Sequence, residues 1–478
     1  MDQLSKRHIG SAANLLMFFL LIAAGLLFSI IADAEVMGTV LLIFVILMCY
    51  YVVFVRFKNS TKYGSFLCDS RFYVFSVILL YTILPPIYCI LTLDEYGGVR
   101  VRTAYNATIY TSSELFQTVI MSSLFFAGIV LGFLVRPHIK SYSVLAKQEP
   151  EEDVKKCKKL FICWLIVCVI STALFLLPFI RGGFRIIQAG GSILDVDRTV
   201  SDSFFGKIQE VFFSSEIMTV STIAVLFYGF QLDIGQRTRR IILITVVFLQ
   251  IVLAVMTTRR ARAISIILCA FVIYIYWYQK KKKKLPIIQI VIAVIAVLVL
   301  YFLEVIMNVR QFSNTTASFL QLFDGISAYD SLLLSTRETP SLSMLSNILY
   351  GLFRPIPVIG KYIVILFGMP NDAAPLYHWM ADRYATYQFG GGLAYTPQLE
   401  AYLSGGYFGC VIFGFIYGYV FGKKRSGLIN LLIIAMSFSI ARGNLQVILS
   451  LMWPFGIIGY YFYDQFLFRR ITIGSRKI

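Results

Sequence analysis

The sequence is poor in charged residues and lacks any paired cysteine spacing. Only 14% of its 478 residues are charged and 58% are hydrophobic, whereas soluble domains carry about 25% charged residues. This composition excludes a water-soluble protein. The eight cysteines lie in or beside apolar runs and include no C-x-x-C pair. The sequence therefore predicts neither a zinc site nor a disulfide scaffold. We identify no constellation of metal-ligating residues, so no metal ion or other cofactor is expected.

Long apolar runs dominate what is present. A transmembrane helix needs about 20 predominantly apolar residues, and about 12 segments meet or nearly meet that length. We therefore predict an all-α integral membrane protein in which residues 1–478 form one membrane domain and both termini are cytoplasmic. The first span follows Lys6 and Arg7 and is interpreted as uncleaved. The predicted spans are 14–32, 37–55, 72–92, 114–135, 159–180, 208–231, 240–256, 264–278, 287–306, 399–421, 427–440 and 447–468.

The net charge of +18 suggests an anionic partner such as nucleic acid. On the predicted topology, however, 28 of the 43 Lys and Arg residues fall in cytoplasmic segments, among them the run Lys280–Lys284. Membrane proteins show this asymmetry as the positive-inside rule. The charge therefore requires no nucleic-acid partner.

The basic residues outside those segments are almost all arginine. Of these 15 residues, 13 are Arg and only Lys207 and Lys361 are Lys. Because a guanidinium group grips phosphate in two places and stays charged in a low dielectric, this set favours an anionic ligand such as a lipid pyrophosphate. The alternative is that individual Arg side chains reach lipid headgroups or pair with acids.

The segment 307–398, between the predicted ninth and tenth spans, is the longest connection, and loops this long are usually functional. Apolar residues from Leu342 to Phe353 recur at helical spacing and are followed by prolines. This pattern predicts an amphipathic helix in the outer membrane interface. The apolar run 358–367 is too short to span. We expect it to form a re-entrant or interfacial helix, with an extra span as the alternative.

Three short outer segments carry arginine at span ends, namely TTRRARA at 257–263, NVRQ at 308–311 and ARGN at 441–444. Guanidinium groups from several helices repel one another unless an anion or carboxylates lie between them. Glu400 stands at the start of the tenth span, where an acid is costly in hydrocarbon. We expect it either to face a polar cavity or to pair with one of these arginines.

The segment 392–409, GLAYTPQLEAYLSGGYFG, resembles the motif before a late span in Wzy-type oligosaccharide repeat-unit polymerases. The Arg-rich turn 257–263, the long outer segment and the arginine turn 441–444 are similar to that family in order and spacing. The resemblance implies a GT-C-like membrane glycosyltransferase that acts on polyprenyl-diphosphate-linked glycans outside the bacterial cytoplasmic membrane. It also implies that no nucleotide sugar is used and that a chain-length-regulating co-polymerase is a partner.

The reaction implied by this resemblance displaces a lipid diphosphate from an anomeric carbon by a sugar hydroxyl. Fixed cationic donors stabilise such a leaving group, and a carboxylate or imidazole accepts the hydroxyl proton. Glu400 is the first candidate for the base, followed by Asp330, Asp382 and His378. The candidates for diphosphate binding are Arg259, Arg260, Arg262, Arg310, Arg354 and Arg442.

Two other functions fit part of the pattern. An O-antigen ligase would share the arginine cluster and the long outer segment. A lipid-linked oligosaccharide flippase or transporter would show internal repeats and broken or charged helices at the membrane midplane. The pair Pro85-Pro86, which we expect to break the third span, is the best feature for a transporter, and a kink at a packing site explains it equally well.

Overall fold

The computed structural model describes the helical core of the chain. Continuous described ranges are 35–60, 66–91, 99–102, 107–135, 151–188, 215–232, 260–280, 324–341, 360–366, 396–423 and 427–443, with short pieces between 241 and 253 and a few single positions. The helices are α1 Glu35–Ser60, α2 Ser70–Leu91, α3 Ser112–Val135, α4 Glu151–Gln188, α5 Ser215–Gln231, α6 Arg260–Lys280, α7 Asp324–Ser335, α8 Gly360–Leu366, α9 Pro397–Phe421 and α10 Gly427–Arg442.

The one β-sheet within these ranges is a two-stranded antiparallel hairpin. It consists of β1 (Val99–Arg102) and β2 (Ala107–Tyr110). It lies in the connection between α2 and α3. The predicted all-α class is therefore confirmed, with this hairpin as a small addition.

Five described helices are long and apolar enough to cross a membrane: Glu35–Val55, Ser70–Leu91, Ser112–Val135, Cys157–Leu174 and Pro397–Phe421. Shorter apolar helices lie at Ile217–Gln231, Arg262–Tyr276 and Gly427–Arg442. All of these coincide with predicted spans. The predicted spans 14–32, 287–306 and 447–468 lie wholly or mostly outside the described residues, and span 240–256 is described only in pieces. The count of about 12, the GT-C likeness and the cytoplasmic termini therefore stay predictions.

The starts of α2 and α10 are joined by one buried asparagine. The Oδ1 atom of Asn430 accepts a hydrogen bond from the backbone N–H of Ser70 at 2.9 Å, and its Nδ2 donates to the carbonyl oxygen of Cys68 at 2.8 Å. Buried polar side chains need such partners. Because α2 and α10 pack against each other from this shared starting point, they run in the same direction.

α6 runs antiparallel to α10. The hydroxyl of Ser265 donates to the carbonyl oxygen of Ala435 at 2.7 Å, and the thiol of Cys269 donates to that of Leu431 at 3.3 Å. Contacts therefore move backwards along α10 as they advance along α6. The start of α6 and the end of α10 consequently lie at one end of the bundle, which we call the arginine end.

α3 and α9 approach so closely that their backbones touch. A Cβ atom at Gly128 would lie 2.3 Å from the carbonyl oxygen of Val411, and one at Gly132 would lie 2.1 Å from that of Phe415. The contact advances by four residues on both helices, so α3 and α9 run parallel. Glycine at this spacing lets membrane helices pack face to face, and the pair is repeated as GFIYG at 414–418.

The predicted break in the third span is wrong. α2 continues as a helix through Pro85 and Pro86, both of which are buried. Proline carries no backbone N–H, so the carbonyl oxygens of Tyr81 and Thr82 do not receive the donor that an ordinary helix supplies. Membrane helices tolerate this where neighbouring helices re-satisfy the backbone. The pair is therefore no sign of a discontinuous transporter helix.

The long outer segment contributes two described helices. α7 packs against α2 and α9 and buries Tyr329 and Leu333. α8 falls in the run 358–367, so a helix is present there as predicted, and its side chains at Tyr362 and Leu366 are exposed. Its re-entrant or interfacial placement stays a prediction. The predicted amphipathic helix from 342 to 353 lies outside the described residues, apart from its last position.

Candidate active site

Glu400 lies in the first turn of α9. Thr396 caps this helix by accepting a hydrogen bond from the N–H of Leu399 at 3.4 Å, and Pro397 occupies the start of the helix. Both are residue types that favour a helix N-terminus. The Glu400 residue is 2% exposed. Since a buried carboxylate is expensive in an apolar bundle, its presence marks a candidate functional group.

α9 folds back on itself at Gly405 and Gly406, which the apolar pattern did not predict. The Sγ atom of Cys410 lies 3.9 Å from the carbonyl oxygen of Gln398, 12 residues earlier, although 12 residues of straight helix span about 18 Å. Gly406 has a φ of 60°, in the left-handed region that favours glycine. Residues 397–404 therefore form a short piece, the fold-back segment, that lies against the rest of α9.

The fold-back segment is fixed at the arginine end. The Nε2 atom of Gln398 donates to the hydroxyl of Thr82 on α2 at 3.0 Å. Ser70 and Asn430 are hydrogen-bonded at the starts of α2 and α10. Thr82 lies 12 residues after Ser70, and Arg442 lies 12 residues after Asn430, which is about 18 Å along each helix. Glu400, two residues after Gln398, is therefore close to the depth at which α10 ends.

Arg262, in the first turn of α6, is 7% exposed. Its Nη2 atom donates to the amide oxygen of Gln250 at 2.6 Å, and the Nε2 atom of Gln250 donates to the hydroxyl of Thr172 on α4 at 2.8 Å. Hydrogen bonds of this kind offset part of the cost of burying a guanidinium group. Arg262 thus lies inside the helix bundle rather than in lipid.

The other arginine candidates are described less completely. Arg260 begins α6, and Arg442 ends α10 with its side chain exposed. Because these two helices are antiparallel, Arg260, Arg262 and Arg442 all lie at the arginine end. The candidates outside the described residues are Arg259, Arg310, Arg354, His378 and Asp382.

Asp330 is buried on α7 with a partner that accounts for its burial. Its carboxylate accepts a hydrogen bond from the hydroxyl of Tyr110 at the end of β2. The hydroxyl of the neighbouring Tyr329 lies 2.6 Å from that of Thr118 on α3. Burial raises the pKa of Tyr329, so this phenol stays protonated and keeps the hydrogen bond. The two contacts anchor α7 on α3 and on the hairpin.

An ion pair near this anchor was not apparent from the sequence. The Nε atom of Arg337, just after α7, lies 2.6 Å from Oε1 of Glu114 on α3. Glu114 also forms a capping box with Thr111, in which each backbone N–H donates to the other side chain, at 3.2 and 2.8 Å. The T-x-x-E spacing before an apolar run indicates that box. No local pattern links Glu114 to an arginine 223 residues away.

The described residues at the arginine end combine a buried carboxylate with cationic side chains. A carboxylate accepts protons, and guanidinium groups bind phosphate oxygens in pairs. Among the described residues, no three His, Cys, Asp or Glu side chains are grouped to hold a metal ion. The arrangement suits proton transfer next to an anionic group.

Residues 13–468 match the family model for O-antigen polysaccharide polymerase Wzy. The chain belongs to this family. The match confirms the resemblance drawn from residues 392–409 and from the arginine segments. No curated protein and no solved structure matches the chain.

As a member of the Wzy family, the chain is a multi-pass membrane protein of O-antigen polysaccharide biosynthesis. Family membership makes it a glycosyltransferase-type polymerase with lipid-linked oligosaccharides as its class of substrate. The five apolar helices of membrane-spanning length agree with this assignment. The Wzy assignment favours a polymerase over the ligase and the flippase that the sequence left open.

Proposed function

We propose that the protein transfers a growing glycan from its polyprenyl diphosphate to the incoming lipid-linked repeat unit. The reaction takes place on the outer face of the bacterial cytoplasmic membrane. The observation that carries this proposal is that buried Glu400 lies at a depth similar to that of the last residue of α10. Arg262 is also buried at this arginine end of the bundle. A carboxylate and guanidinium groups at one depth match the two needs of the reaction, a proton acceptor and a phosphate clamp.

The arginines bind the diphosphate of the donor lipid. Negative charge grows on the diphosphate as its bond to the anomeric carbon breaks, so donors that tighten at that moment lower the barrier. The paired N–H groups of a guanidinium suit phosphate oxygens, whereas a lysine provides one point charge. Arg262 and Arg442 are the described members of this clamp. The further members of the proposed clamp are Arg259, Arg260, Arg310 and Arg354.

Glu400 is the proposed general base. It takes the proton of the attacking sugar hydroxyl, whose oxygen forms the new glycosidic bond while the electron pair of the old bond leaves with the diphosphate. Asp330 is a weaker candidate because its carboxylate already accepts from Tyr110. His378 and Asp382 remain second candidates on the outer segment. No metal ion or other cofactor is needed for this scheme.

The proposal places one membrane domain, residues 1–478, around this site, with residues 307–398 as its large outer segment. A chain-length-regulating co-polymerase is the proposed partner. Polyprenyl-diphosphate glycans serve as both donor and acceptor. α8, with its exposed apolar side chains, suits contact with the lipid surface.

The proposal is tested with purified protein and a synthetic lipid-diphosphate repeat unit. The expected product is a ladder of polymers still attached to lipid diphosphate, with one lipid diphosphate released per bond formed. Released sugar without a ladder would contradict polymerisation. Transfer of a finished glycan to a lipid core, without elongation of the repeat unit, would indicate the ligase instead.

A further inference from the structure

Arg337 connects the end of α7 to both α3 and the end of β2. Its Nε atom lies 2.6 Å from Oε1 of Glu114, and its guanidinium carbon lies 5.1 Å from the centre of the Tyr110 ring. The Arg337 side chain is 39% exposed and that of Glu114 is 17% exposed. A cation over an aromatic face and an ion pair at its edge together restrict the guanidinium plane. Arg337 therefore fixes where the chain leaves α7.

The residues that follow Arg337 run to the fold in α9. We call residues 336–341 the strap. At its far end, the backbone N–H of Ser341 donates to the carbonyl oxygen of Leu403 at 2.8 Å. The side chain of Pro340 would lie 3.7 Å from a Cβ atom at Gly406. The strap thus contacts the last turn of the fold-back segment and the glycine at which the chain reverses.

These contacts matter because the fold-back segment is short. A helix of eight residues is marginal alone, and the carbonyl groups of its last turn need outside donors. Ser341 supplies one such donor at Leu403, one turn after Glu400. The strap therefore connects the Arg337–Glu114 ion pair directly to the fold-back segment, which carries the proposed base.

A half-exposed ion pair contributes little to the stability of a whole protein. We therefore expect its loss to leave the α3–α9 packing and the buried core intact. The effect of the pair is instead local, since it decides where the strap, and hence the fold-back segment, rests. A carboxylate that must meet a hydroxyl within hydrogen-bond distance is sensitive to shifts of that size.

We propose that Arg337 is a positioning residue for glycan transfer, acting through the strap on the fold-back segment and so on Glu400. The inference rests on the proposed function of Glu400 as the base. It predicts that Arg337 influences the rate of bond formation rather than substrate binding. Its partner Glu114 acts in the same way, because it holds the other side of the ion pair.

The test compares Arg337→Ala and Glu114→Gln with Arg337→Lys, which keeps a positive charge beside Glu114. Glutamine at position 114 keeps the capping box. Thr339→Ala, at an exposed neighbouring position of the strap, is the matched control. Each purified protein is assayed for kcat and KM on the synthetic repeat unit and for backbone amide exchange in residues 398–404.

We expect Arg337→Ala and Glu114→Gln to lower kcat at least about tenfold, with KM changed less than about twofold. Amide exchange in residues 398–404 should rise in both, and Arg337→Lys should retain part of kcat and of the protection. Thr339→Ala should behave as wild type. Wild-type kcat in Arg337→Ala, or unchanged exchange in residues 398–404, overturns the inference. If the wild-type protein itself makes no polymer, the proposed function fails. If the wild type makes polymer and Arg337→Ala matches it, only the positioning role of Arg337 fails.

Discussion

Gln398 of α9 donates a hydrogen bond from Nε2 to the hydroxyl of Thr82 on α2, across 3.0 Å and 316 positions of sequence. This bond joins the fold-back segment to the helix whose Pro85 and Pro86 leave backbone carbonyl groups without their usual helical donors. The Gln398–Thr82 hydrogen bond therefore lies beside a part of α2 whose backbone hydrogen bonding is already irregular. Glu400 follows two residues later, about 3 Å further along the helix.

The role of Glu400 is tested by Glu400→Gln, which keeps the size of the side chain and removes the proton acceptor. We expect polymer formation to fall by about 10²-fold or more, since general-base catalysis contributes about that much. Rates of ladder formation by the purified protein measure the change.

Asp330→Asn is the matched comparison, because an amide oxygen still accepts the hydrogen bond from Tyr110. We expect this variant to retain most of its activity. Unchanged polymer yield in Glu400→Gln would remove Glu400 as the base, and loss of activity in Asp330→Asn alone would transfer that role to Asp330.

The packing of α3 on α9 predicts a steric effect at Gly132. A methyl group there would lie 2.1 Å from the carbonyl oxygen of Phe415, so Gly132→Ala should force the two helices apart. Overpacking of this kind costs about 1–3 kcal/mol of the free energy of unfolding. Thermal unfolding of the detergent-solubilised protein measures the loss.

Gly456→Ala serves as the control for that substitution, because a Cβ atom at Gly456 would meet no atom of the described residues within 4 Å. Gly456→Ala should leave the unfolding temperature unchanged. Equal unfolding temperatures for Gly132→Ala and the wild type would show that α3 and α9 do not touch as described.

The helical class and most described helix positions could be predicted, because continuous apolar length reports membrane spans directly. Residues 72–92 and 114–135, for example, differ from α2 and α3 by at most two residues at either end. The reversal of the chain at Gly405 and Gly406 was not predicted, since hydropathy does not report a change of direction within an apolar run.

The candidate site was predictable to a lesser degree. Glu400 and the arginines stood out because charge is rare in this chain, and rarity at span ends is a local signal. The pair Arg337 and Glu114 could not be inferred, since its members are 223 residues apart and each looks like an ordinary solvated charge. Likewise, the relay from Arg262 through Gln250 needs tertiary structure to be seen.

The direction of the helices across the membrane is tested by cysteine labelling. Cys157 is partly exposed at the end of α4 opposite Thr172, near Gln231, and the predicted topology puts it in the cytoplasm. A membrane-impermeant maleimide should therefore label it in inverted vesicles and not in spheroplasts. Thr339→Cys, at the exposed strap, should show the opposite pattern, and labelling of both from one side would contradict the topology.

Cys68 provides an internal control for this experiment. It is buried, and burial, together with the nearby charge of Asp69, raises the pKa of its thiol to about 12. Since the thiolate is the nucleophile, Cys68 should remain unlabelled from pH 6 to about 9. Peptide mapping after labelling checks this, and modification of Cys68 in the folded protein would show that its surroundings are open.

The most direct test of the diphosphate clamp is the rate of ladder formation by purified Arg262→Lys and Arg442→Lys, each of which keeps the charge and loses the paired N–H groups. Arg425→Lys is the control, since Arg425 lies beside the start of α10, at the opposite end of that helix, and donates to the carbonyl oxygen of Val420. The account predicts a fall of about 10²- to 10³-fold for the first two and a wild-type rate for the control. Wild-type rate and polymer length in both Arg262→Lys and Arg442→Lys would contradict it.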